Sequence, residues 1–417
     1  MTQHTVLNRD RGGPSRIKTT TPGGPLELLI LQSGSFCNLA CDYCYLPGRD
    51  RQDRLAPETL TALADQLFNS SLIGDRLTLV WHAGEPLALG TDYYEQAFSI
   101  IEARRPADLC LNHDLQTNGT LLTQEWCDLI RRYGVRVGLS IDGPAFLHDT
   151  HRKTRKGQGT LDRALRGMAL LQANQIDFHL LTVLTRESLD HPDELYRFYI
   201  DHNIHRVGFN IEELEGVHTT SSLSGGNAEH AFRAFIGRFL ELVASESPPR
   251  LSVREFDSFF HVLMSHQELP LANHQVVPGA IVTVDAQGGV STFSPELLGI
   301  RQAEYQDFIL DRIKPEPVSA QASTENIFDR LLQNASASRL GKEIAEGVEK
   351  CRTSCGYFEL CGGGAPANKF FENGRFDTTQ TLFCRFNRQL LADCLLDFID
   401  RRLSHKAEVK ADHPTAA

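Results

Sequence analysis

The sequence predicts an α/β fold: a partial, TIM-like (β/α)6 barrel followed by a small C-terminal cysteine-rich domain. Three observations predict it. Six apolar runs alternate with six helical patterns between residues 28 and 244, as in a parallel sheet with helices outside. Polar and glycine-containing motifs follow directly after those runs, where such barrels carry their chemistry. Seven of the ten cysteines fall in two groups, 37–44 and 351–384.

Composition sets the outer limits. The chain has 417 residues, enough for two domains, with 41% hydrophobic and 23% charged residues. No apolar run reaches the length of a membrane span, and the start of the chain lacks a hydrophobic signal core. The expectation is therefore a cytoplasmic protein with no membrane partner. In that compartment ten cysteines read as metal ligands or free thiols rather than disulfides. A net charge of −11 argues against nucleic acid as a partner.

Residues 1–25 read as a flexible arm, with Gly12-Gly13-Pro14 and Pro22-Gly23-Gly24. The core barrel is placed at 26–245. Strands are predicted at 28–31, 77–81, 110–116, 135–141, 177–184 and 206–211, and helices near 57–68, 92–104, 124–133, 160–174, 192–202 and 228–244. The first strand leads into Gly34 to Tyr45, which holds Cys37, Cys41 and Cys44 in a C-x3-C-x2-C spacing, with Tyr43 before the last thiol. Thiolates are the usual ligands of iron–sulfur clusters, and three of them leave one iron of a four-iron cluster open to a small molecule. A zinc knuckle or three unrelated buried cysteines are the alternative readings.

The later strand ends carry matching polar groups. His82-Ala83-Gly84-Glu85-Pro86 follows the second strand. Gly84 allows close backbone approach, and Glu85 can accept from an ammonium. Gln116-Thr117-Asn118-Gly119 follows the third, with an Asn-Gly turn signal. Ser140-Ile141-Asp142-Gly143-Pro144 follows the fourth, and Ser140 and Asp142 share a side of an extended chain, as suits a ribose. The run 148–156 reads as a solvated charged loop, except Arg152, whose fork suits a carboxylate. Leu184 offers an apolar surface for an adenine. After the sixth strand, Glu212, Glu213 and Glu215 could face a substrate or supply a base, and 221–227 reads as a mobile loop or lid.

Residues 246–279 are expected to be linking helices, 280–402 a second domain and 403–417 a polar tail. The second domain opens with a hairpin, 280–285 and 289–293, whose edge is expected to be free to pair with an extended peptide. Helices are predicted at 325–333, 337–350 and 387–402. Cys351, Cys355, Cys361 and Cys384 match the ligand count of one complete [4Fe–4S] site, with Gly362-Gly363-Gly364 giving room for a bulky group. A zinc site has the same ligand count, but its usual two close cysteine pairs are missing. Cys110, Cys127 and Cys394 read as buried thiols.

The cysteine loop, with Gly84, Glu85 and the other strand-end motifs, resembles the radical SAM superfamily. The C-terminal run resembles the SPASM domain of radical SAM peptide maturases, minus one auxiliary cluster. Ala365 stands at one cysteine position, and no cysteine lies between Cys127 and Cys351. Three strings, 81–87, 293–299 and 361–369, are similar to maturases of glycine-rich-repeat (GRRM-type) peptide systems, which form cyclophanes. The resemblance covers most of 26–395. It implies two [4Fe–4S] clusters and S-adenosylmethionine (SAM) as cofactors. It also implies a precursor peptide as substrate and a small electron donor such as flavodoxin or ferredoxin. SAM would be bound by Tyr43, Gly84, Glu85, Gln116, Asn118, Ser140, Asp142, Arg152 and Leu184, with Glu212, Glu213 and Glu296 as candidate bases. The implied activity is a C–C crosslink from an aromatic ring carbon to a nearby Cβ. The rivals are an anaerobic sulfatase-maturating (formylglycine-forming) enzyme, a thioether-forming maturase and a non-catalytic Fe–S electron-transfer scaffold.

Overall fold

The computed structural model describes residues 26–264, 273–315 and 326–412; the predicted N-terminal arm and residues 413–417 of the tail lie outside them. Six parallel strands run in chain order: β1 (Leu28–Leu31), β2 (Arg76–Trp81), β3 (Cys110–Thr117), β4 (Arg136–Ser140), β5 (Phe178–Leu184) and β6 (Arg206–Ile211). The sheet is open and longer than the sequence predicts. Beside β6 it gains β7 (Ser252–Val253), and beside β1 it gains β8 (Ile281–Val284), β9 (Gly289–Thr292) and β10 (Asp311–Arg312). β7 and β10 have two residues each, too few to leave a periodic signal.

The predicted hairpin, β8–β9, therefore continues the barrel sheet, with Leu28 paired to both Thr78 and Ile281. Its outer edge is not free. β10 pairs with Gly289 and Val290, and every residue of β9 is buried. Along Gly289 and Val290 the edge expected to receive a peptide is already taken by β10.

Local signals explain the main helices. Pro57 opens Pro57–Phe68, a first-turn position that needs no N–H partner. Thr123 caps Gln124–Tyr133, and Gly134, at φ 60°, ends it in the left-handed region. Their apolar faces bury Leu63, Leu67, Trp126 and Ile130 against strand residues such as Leu79 and Leu115 in one contiguous core. A second cluster, built on Phe293, Tyr305, Phe308 and Phe376, forms the core of the C-terminal part.

Several expectations are corrected. Residues Ala145–His151 are helical and His148 is buried. Its Nδ1 accepts the Asp142 N–H at 3.2 Å and its Nε2 meets Thr160 Oγ1 at 3.1 Å, so this part of the basic run is not a solvated loop. Asp149 at the end of that helix caps the next one, Leu161–Ala173, by accepting from the Thr160 and Leu161 N–H groups at 2.6 and 2.9 Å. The segment 221–227 is tied down at its start: Ser221 Oγ donates to the Glu212 carbonyl at 2.7 Å. Cys110 is exposed, at the start of β3, while Cys127 and Cys394 are buried as expected. The last helix, Leu391–Asp412, runs well into the predicted polar tail, after a π-helical turn at Arg385–Leu390. No helix of the described residues is long and apolar enough to cross a membrane.

Candidate functional site

The loop after β1 has almost no regular structure, so its backbone finds partners outside itself. The Cys37 N–H donates to the Arg49 carbonyl at 2.9 Å, and the Ala40 N–H to the Lys153 carbonyl at 2.7 Å. Arg49 Nη1 donates to the Cys41 carbonyl at 3.0 Å. These bonds hold Cys37, Cys41 and Cys44 on one wall of a cavity enclosing about 980 Å³ of empty space.

The opposite walls come from the strand ends. Gly84, Glu85, Gln116, Asn118, Ser140, Arg152, Glu212 and Glu213 all line this cavity, as do Tyr43 and Glu215. The sequence-predicted residues that do not line it are Asp142, Leu184 and Glu296. Leu184 lies in the core, and half-buried Val183 faces the cavity in its place, one residue out of register. Side chains alternate along a strand, so such a slip moves the contact to the neighbour.

Gly84 sits at φ 62°, and a Cβ there would strike the Phe36 carbonyl oxygen. The turn is thus pressed against the cysteine loop, and the Glu85 N–H donates to that same carbonyl at 2.7 Å. Ala83 also lies at positive φ, 76°, where glycine would be unstrained. The Glu85 carboxylate accepts from Thr117 Oγ1 at 2.6 Å, the Asn118 N–H at 2.8 Å and the Leu87 N–H at 3.1 Å. Burial nevertheless pushes its carboxyl up to about 7.

Arg152 lines the cavity with one edge of its guanidinium already taken. Its Nε and Nη2 donate to the two Asp142 oxygens at 2.9 and 3.1 Å. Asp142 also accepts from the Tyr43 hydroxyl and from the Val183 N–H, so it has turned away from the ribose position expected beside Ser140. Two buried charges satisfy each other here and lock the cysteine loop to the end of β4. Ser140 remains in the cavity, where its Oγ accepts from Gln116 Nε2 at 2.7 Å.

Of the candidate bases, Glu212 is fully engaged. It accepts from the Ser222 N–H at 2.8 Å and the Ser222 hydroxyl, and lies 3.2 Å from His218 Nε2. Glu213 and Glu215 are bridged by Asn368, whose Nδ2 donates to them at 2.7 and 3.1 Å. Burial, and then the Glu213 carboxylate, push the Glu215 carboxyl well above its ordinary range. Glu296 is fully buried outside the cavity wall, with no hydrogen-bond partner for either oxygen among the described residues. Tyr45 and His82, 3.1 Å apart, also line the cavity; they lie in the motifs 34–45 and 82–86, which assign neither of them a role. Asn118, expected among the SAM-binding residues, also donates to Asn38 of the cysteine loop at 3.0 Å, a pairing that the sequence does not show.

The second cysteine group also converges. Cys351, Cys355, Cys361 and Cys384 line one cavity of about 720 Å³ of empty space. Gly362, Gly363 and Gly364 all have positive φ, and Gly364 lines the same cavity. No group of three or more His, Cys, Asp or Glu among the described residues closes around a single metal ion. The thiols ring a space instead, which fits the larger body of an iron–sulfur cluster. The N-terminal thiols pass the same test. Burial pushes Cys37 up to about 12 and Cys41 up to about 11, so they become ligands only as a bound cation displaces their protons.

A family profile described as the radical SAM superfamily matches residues 31–199. The chain is 43% identical over 384 residues to the uncharacterized protein sll1766 of Synechocystis sp., covering 91% of this chain and 94% of that one. It is 24% identical over 408 residues to a serine-type anaerobic sulfatase-maturating enzyme of Bacteroides thetaiotaomicron, covering 92% and 93%. Among solved structures, native anSMEcpe with bound AdoMet and Cp18Cys peptide aligns with a TM-score of 0.70 at 20% identity, covering 92% of this chain and 99% of that one.

Proposed function

Because this chain belongs to the radical SAM superfamily, whose enzymes bind a [4Fe–4S] cluster and SAM, we propose that it is a peptide maturase. Its reaction is a three-residue cyclophane crosslink, from an aromatic ring carbon to a Cβ, in a ribosomally made glycine-rich precursor. The observation that carries the radical chemistry is the single cavity that joins three thiols to the polar ends of β2, β3 and β4. The peptide substrate is supported by the peptide held in anSMEcpe, and the cyclophane by the three subfamily strings in the sequence.

Cys37, Cys41 and Cys44 would hold the SAM cluster, and Glu85, with one acceptor position left, the methionyl ammonium. Gln116 and Ser140 face the cavity as groups for the ribose. Arg152 works through Asp142 and Tyr43 to fix the cysteine loop. When bound, the cluster and SAM supply a 5′-deoxyadenosyl radical able to take a hydrogen atom from Cβ. The chain's own task is to hold that Cβ–H close and to keep water out. Glu213 and Glu215 stand in the cavity wall to take the proton that leaves the ring. Cys351, Cys355, Cys361 and Cys384 would hold a second [4Fe–4S] cluster, and a flavodoxin or ferredoxin would deliver electrons.

The sulfatase-maturating reading is favoured by the full-length Bacteroides relative. Against it stand Ala365 and the missing upstream cysteines, since that activity normally uses both auxiliary clusters. The test is mass spectrometry of a glycine-rich precursor treated with the reconstituted enzyme. Cyclophane formation removes two hydrogens per crosslink, about two mass units, and transfers a Cβ deuterium label to 5′-deoxyadenosine. A product with the formylglycine mass, labelled only from Cys or Ser, would overturn the proposal.

A further inference from the structure

Lys369 is only 2% exposed, a rare position for a lysine. Among the described residues its side-chain nitrogen has one hydrogen bond, to Cys351 Sγ at 3.5 Å. The fold makes room for its head: a Cβ on Gly347 would come within 3.0 Å of Nζ. A second N–H donor meets the same thiol group, Gln389 Nε2 at 3.5 Å from Cys384 Sγ. A buried ammonium aimed at a sulfur is stable only if that sulfur carries negative charge, as a cluster thiolate does.

The helix Pro366–Asn373 ties this site to the other one. Asn368 holds Glu213 and Glu215 in the wall of the N-terminal cavity, while the next residue, Lys369, reaches the sulfur of Cys351, one of the four thiols. In cysteine-held clusters a nearby positive charge and hydrogen bonds on the sulfurs both raise the reduction potential by favouring the more negative reduced form.

We propose that Lys369 sets the four-thiol site as an electron acceptor for the N-terminal cavity, by raising the reduction potential of the cluster held there. This rests on the two-cluster maturase reading above. The crosslink requires such an acceptor. One hydrogen leaves Cβ as an atom. After the new C–C bond forms, the ring regains aromaticity by losing one proton and one electron. The proton goes to a carboxylate of the Glu213–Glu215 pair, and the electron to the oxidised C-terminal cluster, which gains one negative charge beside Lys369.

The test uses the full chain with Cys37, Cys41 and Cys44 replaced by alanine, so that only the C-terminal site is loaded. Its potential is titrated by absorbance and electron paramagnetic resonance with Lys369 intact, and in Lys369→Gln, Lys369→Met and Lys369→Arg. Gln and Met should lower the equilibrium constant for reduction by at least about tenfold, 59 mV for one electron, at unchanged iron content. Lys369→Arg should stay near the parent. Equal potentials in all iron-loaded variants would overturn the assignment to Lys369. A Lys369-intact protein that binds no iron would instead overturn the cluster reading beneath it.

Discussion

In the N-terminal site three thiols come from one irregular loop, held by backbone bonds such as Cys37 to Arg49 and Ala40 to Lys153. In the C-terminal site four thiols come from helices and their ends: Cys351 within Arg339–Ser354, Cys355 as its cap, Cys361 ending Phe358–Cys361 and Cys384 ending Leu382–Cys384. The first arrangement leaves a cavity beside the sulfurs into which the polar ends of β2, β3 and β4 project. The second surrounds its space with thiols and adds N–H donors from Lys369 and Gln389. Three thiols leave one iron of a four-iron cluster open to a small molecule, whereas four leave none.

The largest effect should come from breaking the open site. Cys41→Ala is expected to abolish SAM cleavage, measured as 5′-deoxyadenosine released under reducing conditions, because the loop then offers too few thiolates. Residual cleavage at the wild-type rate would detach the loop from the chemistry.

Next is the lock on that loop. Asp142→Asn leaves Arg152 charged and buried without its partner, which costs about 3–5 kcal/mol and should appear in denaturant unfolding. Burial alone would raise the Asp142 carboxyl, but Arg152, with His148 and the Tyr43 hydroxyl, more than offsets it and holds it below the usual range. The native value is thus lower than the unfolded one. The contribution is complete above about pH 3.9, and it is lost as pH falls below that. Asp142→Asn should therefore flatten the acid limb of the stability profile.

Glu85 offers a subtler test. With its carboxyl near 7, it is mostly neutral at pH 6 and mostly charged at pH 8. If it receives the methionyl ammonium, SAM affinity should rise about tenfold across that interval. Glu85→Gln should bind weakly with no such rise. The smallest effect is expected at Ala83. Relieving its positive φ in Ala83→Gly should stabilise the fold by about 1 kcal/mol at most, read as a raised Tm with unchanged SAM affinity.

What could be read from the sequence follows the same division. The six-strand alternation and the strand-end motifs are legible because apolar periodicity and glycine turns are local. The spacing of Cys37, Cys41 and Cys44 is local too. The Arg152–Asp142 pairing was hidden because it joins residues whose separate chemistry suits a ligand equally well. Val183 and Leu184 differ by one residue of register, which the β5 pattern alone does not settle. Lys369 and Asn368 sat in a string noticed only as a signature, since nothing local shows a lysine folding inward to a sulfur 18 positions away.

The most direct test of the two-site account is iron content after anaerobic reconstitution. The wild type should hold about eight irons per chain and the Cys37, Cys41 and Cys44 triple alanine variant about four. About four irons in the wild type and none in the triple variant would contradict the account, because the C-terminal thiols would then hold no cluster.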